Sequence, residues 1–444
     1  MGIKSNNSAA YYYNVFGATG TDALPKDVPQ YHWYNTLTGS SNIERWYDVT
    51  ISPKEGDVSE YVYAQGDTRS QGQGGYEALI AQYDKEGAIQ WQRMLGSANN
   101  ENYQGGVVVD SSGNVYAGGY QATNFYGLFV KYNSSGTLQF QKEYYPTGYG
   151  CLAAAATTNS DNTAFYHTGY ITSSQGAYIA KLDSAGAVTW ARKITGEGGG
   201  NAEGNGIGCD SSDNVLLAFH AVTGGQNHVA VAKYNSSGTI QWQRKLVTGT
   251  NTQGYDVACD SNDNVYVIGS DWTNTTMILA KWDSSGTIQW QRKIDGVDGQ
   301  GGIAIDDSDN IYVSGQVSSG SKIYWAKYNT SGTIQLQRTW DSSSSESIKG
   351  MTVDDQTPYG VSVIISGWTG NETNAGLIVK VNADGSDTGT YGDYTYAVSS
   401  LTESANTGTE SAQTGTDASV TMNIGDSSFT SATSTLTSTT NNIP

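Results

Sequence analysis

The chain has 444 residues, 55 of them glycine, with only 15% charged residues and a formal net charge of -19 at neutral pH. That balance excludes the clustered Lys and Arg that nucleic-acid binding needs, and it argues against docking on anionic membranes. No apolar run is long enough to span a bilayer as a helix, and three cysteines do not make a disulfide framework.

Residues 1–29 read as an arm. The start MGIKSNNSAA lacks the apolar core of a signal peptide, and Asn6 stands where myristoylation requires Ser or Thr. Aromatic residues cluster at Tyr11, Tyr12, Tyr13 and Phe16, ahead of polar, turn-forming sequence. Such an arm is expected to dock on another subunit; the alternative is that it packs back on its own chain.

Residues 30–389 are built from a repeat. Its clearest statement is AKWDSSGTIQWQRK from Ala280, with further copies from Ala81, Val130, Ala180, Ala232 and Ala326 and a degraded one from Val379. The turn glycines Gly87, Gly136, Gly186, Gly238, Gly286, Gly332 and Gly385 are separated by 49, 50, 52, 48, 46 and 53 residues. A fixed period near fifty signals a repeat architecture. Each period holds four short runs rich in Val, Ile, Tyr and Trp, bounded by Gly, Asn, Asp and Ser, which read as strands. Four strands per period, seven times over, predict an all-β, seven-bladed β-propeller of four-stranded blades with almost no helix. Tyr31, Trp33, Asn35 and Leu37 fall in the order of Ile240, Trp242, Arg244 and Leu246. Residues 30–38 are therefore expected to be the fourth strand of the last blade, closing the ring and removing two exposed sheet edges.

The repeat resembles the bacterial seven-bladed propeller repeat called SBBP, whose pattern is roughly K-x-D-x-x-G-x-x-x-W, a loop, then G-x-x-V-D-x-x-G-N-V-Y-V-x-G. The resemblance implies the fold over about residues 30–389 and says little about function, because propellers host many unrelated activities.

Residues 390–444 form a Ser/Thr-rich tail with no Lys or Arg after Lys380. Alone it should be disordered. Alternation at Tyr394, Tyr396 and Val398 and at Val420, Met422 and Ile424 marks weak strands, expected to order by pairing with a partner.

Chemistry-bearing patterns are few. The turns Asp110–Asn114, Asp210–Asn214, Asp260–Asn264 and Asp306–Asn310 resemble calcium loops, but no acid follows at the right distance, and Asx residues bond their own turn backbone. The hairpin reading is preferred, and no metal or cofactor is assigned. Cys209 and Cys259 occupy equivalent repeat positions that elsewhere hold Val109, Ile305 and Val353, so packing is expected of them. His32, His167, His220 and His228 make no close metal spacing, and no nucleophile motif is present. A partial likeness of Asp183, Gly186 and Trp190 to the Trp-containing repeat of quinoprotein dehydrogenases is one residue too short and lacks its Lys. No catalytic centre is assigned.

One constellation suggests binding. The loops after the second strands begin at Tyr120, Tyr170, His220, Trp272, Gln316 and Trp368. Aromatics ringed by amides suit a carbohydrate, rings against the sugar face and amides against its hydroxyls. The alternative is that they brace neighbouring loops. The arm and the Ser/Thr tail also resemble extensions of structural proteins of marine and cyanobacterial phages. The expectation is therefore a non-enzymatic virion protein, in an extracellular particle, docking to other virion proteins through its termini and contacting a host-surface glycan. A secreted lectin-like adhesin and a propeller-based carbohydrate-active enzyme are the alternatives.

Overall fold

Runs such as NVYVIG and TMILAKW alternate with DSND- and DSSG-type turns, and in the structure these runs are strands and the turns are tight hairpins. The structure, a computed structural model, describes residues 32–38, 43–52, 61–69, 75–96, 101–102, 104–173, 176–249, 251–318, 322–341, 345–355, 360–370, 375–391, 394–399 and 401. In the tail it also describes the backbone of strands at 403–405, 409–412, 417–419, 422–426, 430–433 and 437–443. Tyr11, Tyr12, Tyr13 and Phe16, expected from sequence to dock on another subunit, lie outside the described residues.

The fold is an all-β propeller of four-stranded blades. The described strands form seven antiparallel sheets. The first, from the axis outward, is Glu44–Ile51, Tyr61–Thr68, Glu77–Asp84 and Ile89–Gly96. The next five repeat this plan, their second strands being Val115–Gln121, Ala164–Ile171, Val215–Thr223, Val265–Asp271 and Ile311–Val317. The seventh combines Glu346–Asp354, Ser362–Thr369 and Ala375–Asn382 with His32–Thr38 from the far end of the chain. That N-terminal strand pairs antiparallel with Ala375–Asn382, Trp33 opposite Lys380 and Leu37 opposite Gly376. The segment after Ala375–Asn382 is not its fourth strand: Gly389–Tyr391 pairs instead with Tyr394–Val398 on the sixth sheet. The single helical element among the described residues is a 3-10 turn at Glu197–Gly199.

The core is divided among the spaces between sheets. One cluster joins Trp33, Leu37 and Ile378 of the seventh sheet to Trp46, Val62 and Leu79 of the first. Another joins Ala78, Ile80 and Leu95 of the first to Val107, Val115 and Val130 of the second, and further clusters bridge the remaining pairs. The repeated aromatics Tyr83, Tyr132, Tyr234, Trp282 and Tyr328 are fully buried in these layers.

The signature QWQR, present in three of the sheets, locks each of these to the next. Trp242 Nε1 donates to the Ser284 carbonyl at 3.1 Å, and Arg244 Nε donates to the Gly286 carbonyl at 2.7 Å, both in the next sheet's turn. Trp91 and Arg93 make the same bonds to Ser134 and Gly136, and Trp290 and Arg292 to Thr330 and Gly332. Gly286 has φ 82 and lies under the Trp242 ring, so a Cβ there would stand 2.7 Å from Cδ2. Only glycine satisfies both the left-handed backbone and the close approach. The N-terminal strand uses the same lock: Trp33 Nε1 donates to Lys85 O at 2.9 Å and Asn35 Nδ2 to Gly87 O at 3.1 Å.

The tail was expected to pair with a partner chain. Its described strands instead pair with this chain's own sheets, because every fourth strand offers an unpaired edge of backbone N–H and C=O groups. Running backwards round the ring, the tail adds an outermost strand to each sheet, from Tyr394–Val398 on the sixth to Thr437–Ile443 beside the N-terminal strand.

Candidate functional site

The innermost strands surround a central cavity of about 600 Å³, lined by residues of all seven sheets. One end of it, called here the crown, is where the innermost strands begin and the second strands end. In five sheets the innermost strand carries a β-bulge at this end: between Trp46 and Asp48, Ala153 and Ala155, Gly204 and Gly206, Gly254 and Asp256, and Ile348 and Gly350. In the other two the strand is interrupted, after Asn102 and after Asp298. A bulge re-aims a side chain out of the pleat. Here Tyr47, Ala154, Asn205, Tyr255 and Lys349, with Gln104 and Gln300 from the interrupted strands, line the cavity.

These groups are held in networks. Lys349 Nζ donates to Gln300 Oε1 at 3.2 Å, and Gln300 Nε2 donates to Asp298 Oδ2 at 2.7 Å. The buried Asp298 Oδ1 has no donor among the described residues. Burial lowers the Lys349 pKa and Arg45 lowers it further, against the pull of Asp298. Asn205 Nδ2 donates to the Gly254 carbonyl at 2.7 Å. Tyr47 OH donates to Asp67 Oδ2 at 3.1 Å, and Arg45 Nε to Asp67 Oδ1 at 3.1 Å. The Arg45 guanidinium sits 4.8 Å from the Tyr76 ring centre, 5.8 Å from that of Tyr47 and 5.9 Å from that of Trp368. Burial pushes Asp67 up to about 6, even with Arg45 and the Tyr47 hydroxyl beside it.

Deeper in the channel, Asp48 and Asp256 tie sheets together. Asp48 Oδ1 accepts from Val49 N at 2.9 Å and Oδ2 from Val107 N of the next sheet at 2.8 Å. Asp256 accepts from Val257 N at 2.8 Å and from Ile303 N of the next sheet at 3.1 Å. Burial dominates and raises Asp48 to about 6 and Asp256 to about 7, with those backbone donors working in the opposite direction.

The residues singled out from sequence occupy this end but not as expected. Tyr120, Tyr170, His220, Gln316 and Trp368 lie inside the second strands, not in the loops beyond them. The reason is that the second strand stays paired to its neighbours through these positions, Tyr120 opposite Gly127 and Trp368 opposite Ser347. Tyr120, Tyr170, Gln316 and Trp368 are half-buried and His220 is buried. His220 Nε2 is 4.0 Å from Glu203 Oε2, and burial lowers its pKa. Gln316 Nε2 donates to the Glu346 carbonyl at 2.7 Å. Burial raises Tyr120 to about 12. Trp272 is 48% exposed and lies two residues past the equivalent position, which in that sheet is Ser270, opposite Gln253. Its Nε1 donates to Tyr255 OH at 2.8 Å, and Tyr255 OH donates to Gln253 Oε1 at 3.1 Å. Trp368 meets Tyr47 edge to face at 5.9 Å.

The structure thus gathers Trp368 with Tyr47 and Trp272 with Tyr255 at the channel mouth, and it takes His220 out of the exposed set. The bulge residues were missed. The signal available was the recurrence of Tyr-Asp-Val at 47–49 and 255–257.

The calcium-like turns are satisfied from within. Asp260 Oδ1 accepts from Asn262 N and Asn264 N, both at 3.0 Å, and Oδ2 accepts from Asn264 Nδ2 and Tyr266 OH, both at 2.8 Å. Asp210 adds Lys233 at 2.7 Å. Cys209 and Cys259 are half-buried on the channel wall, and the Cys259 thiol donates to the Cys209 carbonyl at 3.1 Å. Among the described residues no group of His, Cys, Asp and Glu is gathered to hold a metal.

No family model matches the chain, and no curated protein matches it. Solved structures do. A puromycin hydrolase is 12% identical, with 77% of this chain and 52% of that chain covered at a TM-score of 0.50. The β-propeller domain of the trilobed protease from Pyrococcus furiosus is 9% identical, with 76% of this chain and 97% of that chain covered at a TM-score of 0.44. A protein of unknown function from Bacteroides caccae is 14% identical, covering 61% of this chain and 90% of that one at a TM-score of 0.38. At such identities likeness speaks to fold and not to activity.

Proposed function

We propose that this chain is a non-enzymatic display module: a seven-bladed propeller of the SBBP repeat type, closed by its N-terminal strand, that is mounted through its termini and contacts a glycan-bearing surface with its crown. The setting that fits best is a bacteriophage particle, a tail- or capsid-associated protein whose arm meets other virion proteins while its tail stays paired on its own sheets. The resemblance of those extensions to phage structural proteins supports that setting.

The observation that carries the reading is the polarity of the disc. At the crown, Trp272, Tyr255, Tyr47 and Trp368 stand beside Gln104, Asn205, Gln300 and Lys349. At the opposite face the N-terminal strand begins and the last tail strand ends, His32 being opposite Ile443. Attachment at that face leaves the crown free. Aromatic faces with neighbouring amides suit a polyhydroxylated ligand.

The test is binding of the full-length protein to a broad glycan array and to intact cells, beside Trp272→Ala and Trp368→Ala. Selective binding, weakened about tenfold or more by either substitution, is the expected result; tenfold corresponds to about 1.4 kcal/mol, the scale of one lost stacking contact. Absence of any glycan or cell binding, or binding unchanged in both variants, would overturn the reading.

A further inference from the structure

The tail looks featureless as composition, but it has a period of its own. Residues 396–444 divide into units of seven. The seventh position of each unit is Thr402, Thr409, Thr416, Asn423, Thr430, Thr437 or Pro444. The sixth is Leu, Gly, Gly, Met, Phe, Leu and Ile in turn, and the second is always small: Ala, Ser, Ser, Ala, Gly, Ala and Thr.

The pairing registers show the same period independently. The first residue of every unit stands opposite the same position of a fourth strand, one sheet at a time. Tyr396 faces Trp340, Glu403 faces Ile294, Glu410 faces Leu246 and Asp417 faces Ile194. Ile424 then faces Tyr144, Ser431 faces Leu95 and Ser438 faces Leu37. The fourth-strand partners are equivalent residues of the propeller repeat, including Leu37 of the N-terminal strand. A sequence period and a ladder register that coincide on every sheet are hard to reconcile with a tail that merely collapses on the nearest edge, because any insertion or loss of residues would throw all later sheets out of step.

We infer that the tail is a belt of interchangeable heptads and that the outer edge of each blade is a docking site for one of them. The occupant is this chain's own tail. Recognition is by the backbone ladder, which any extended segment offers, and register is selected by the side chains of the unit. The second residue stands opposite Lys293, Lys245 and Lys193 on three of the sheets, and it is small in each: Ser404, Ser411 and Ala418. The sixth residue of the first unit, Leu401, packs against the cluster of Ile294 and Val297, and its carbonyl accepts from Gln337 Nε2 at 2.9 Å. Because the edges are equivalent, sliding the belt by one whole heptad moves each unit to the neighbouring blade with the same local pairing, whereas a slide of any other length does not.

Disulfide trapping in the full-length protein tests this. Lys293→Cys with Ser404→Cys, and Lys245→Cys with Ser411→Cys, should each close within one chain on mild oxidation, while Lys293→Cys with Ser411→Cys should not. The second step removes residues 403–409, one unit. Ser411→Cys should then lock to Lys293→Cys, one blade along, and no longer to Lys245→Cys. Removal of residues 403–406 should give neither product. A chain lacking residues 403–409 that still locks Ser411→Cys to Lys245→Cys, or to neither, overturns the heptad rule, as does a chain lacking residues 403–406 that locks to Lys293→Cys. Failure of both native pairs, or disulfides formed only between two chains, overturns the belt. Should the shortened chain not fold, amide exchange in the full-length protein reads the same feature: tail protection recurring every seven residues supports it, and uniformly fast exchange contradicts it.

Discussion

Asp48 and Asp256 show how single side chains join the blades and what that costs. Each carboxylate takes one backbone donor from its own strand and one from the next sheet, in a place where burial raises it to about 6 and about 7. The native state therefore holds these protons more tightly than the unfolded chain does. The stability they contribute is complete below the ordinary carboxylate value of about 4 and is lost as the pH rises through about 6 to 7. Asp256→Asn keeps an acceptor and cannot ionise. Relative to the parent, it should gain about 1–3 kcal/mol between pH 4 and pH 8, read as the change in unfolding free energy in urea at the two pH values. An equal difference at both would mean that Asp256 does not titrate in this range. The residue scale is also where sequence reading was weakest. Tyr47 and Asp48 look like ordinary neighbours on alternating faces of a strand. The bulge that turns Tyr47 to the channel depends on how the innermost strand meets its neighbours, and no local residue type announces it.

The N-terminal strand was legible because its spacing copies the fourth strand: Trp33 and Asn35 stand where Trp242 and Arg244 stand. Trp33 is fully buried, stacks on Tyr83 at 6.0 Å and bonds the turn at Lys85. Trp33→Ala should cost about 3–5 kcal/mol in equilibrium unfolding, as expected for a large buried aromatic. A cost below about 1 kcal/mol would mean that the strand is a loose appendage. The tail was half legible. Its alternation suggested strands, but the choice of partner depended on seven open edges that are visible only once the sheets are assembled. Trp272 was placed by counting from the second strand. That strand runs to Asp271, so the count put an exposed loop residue in line with paired strand residues such as Tyr120 and Trp368.

For the molecule as a whole, the period near fifty residues carried the fold, because each sheet buries its faces only against its neighbours and the same apolar pattern must recur for every interface. The candidate site was less legible, since the crown is assembled from one or two residues per blade, far apart in sequence and different in each. Its arrangement makes the two faces of the disc unlike: aromatic, amide and lysine groups around the channel at one, and at the other the satisfied Asp turns together with the ends of the first and last strands. The most direct test of this division of labour is hydroxyl-radical footprinting of the full-length protein, free and bound to the cell or glycan surface that retains it. Protection should fall on Trp272, Tyr255, Tyr47 and Trp368, with the turns at 210–214, 260–264 and 306–310 as reactive as in the free protein. Protection of those turns with an unprotected crown would contradict recognition through the crown and place the contact on the opposite face.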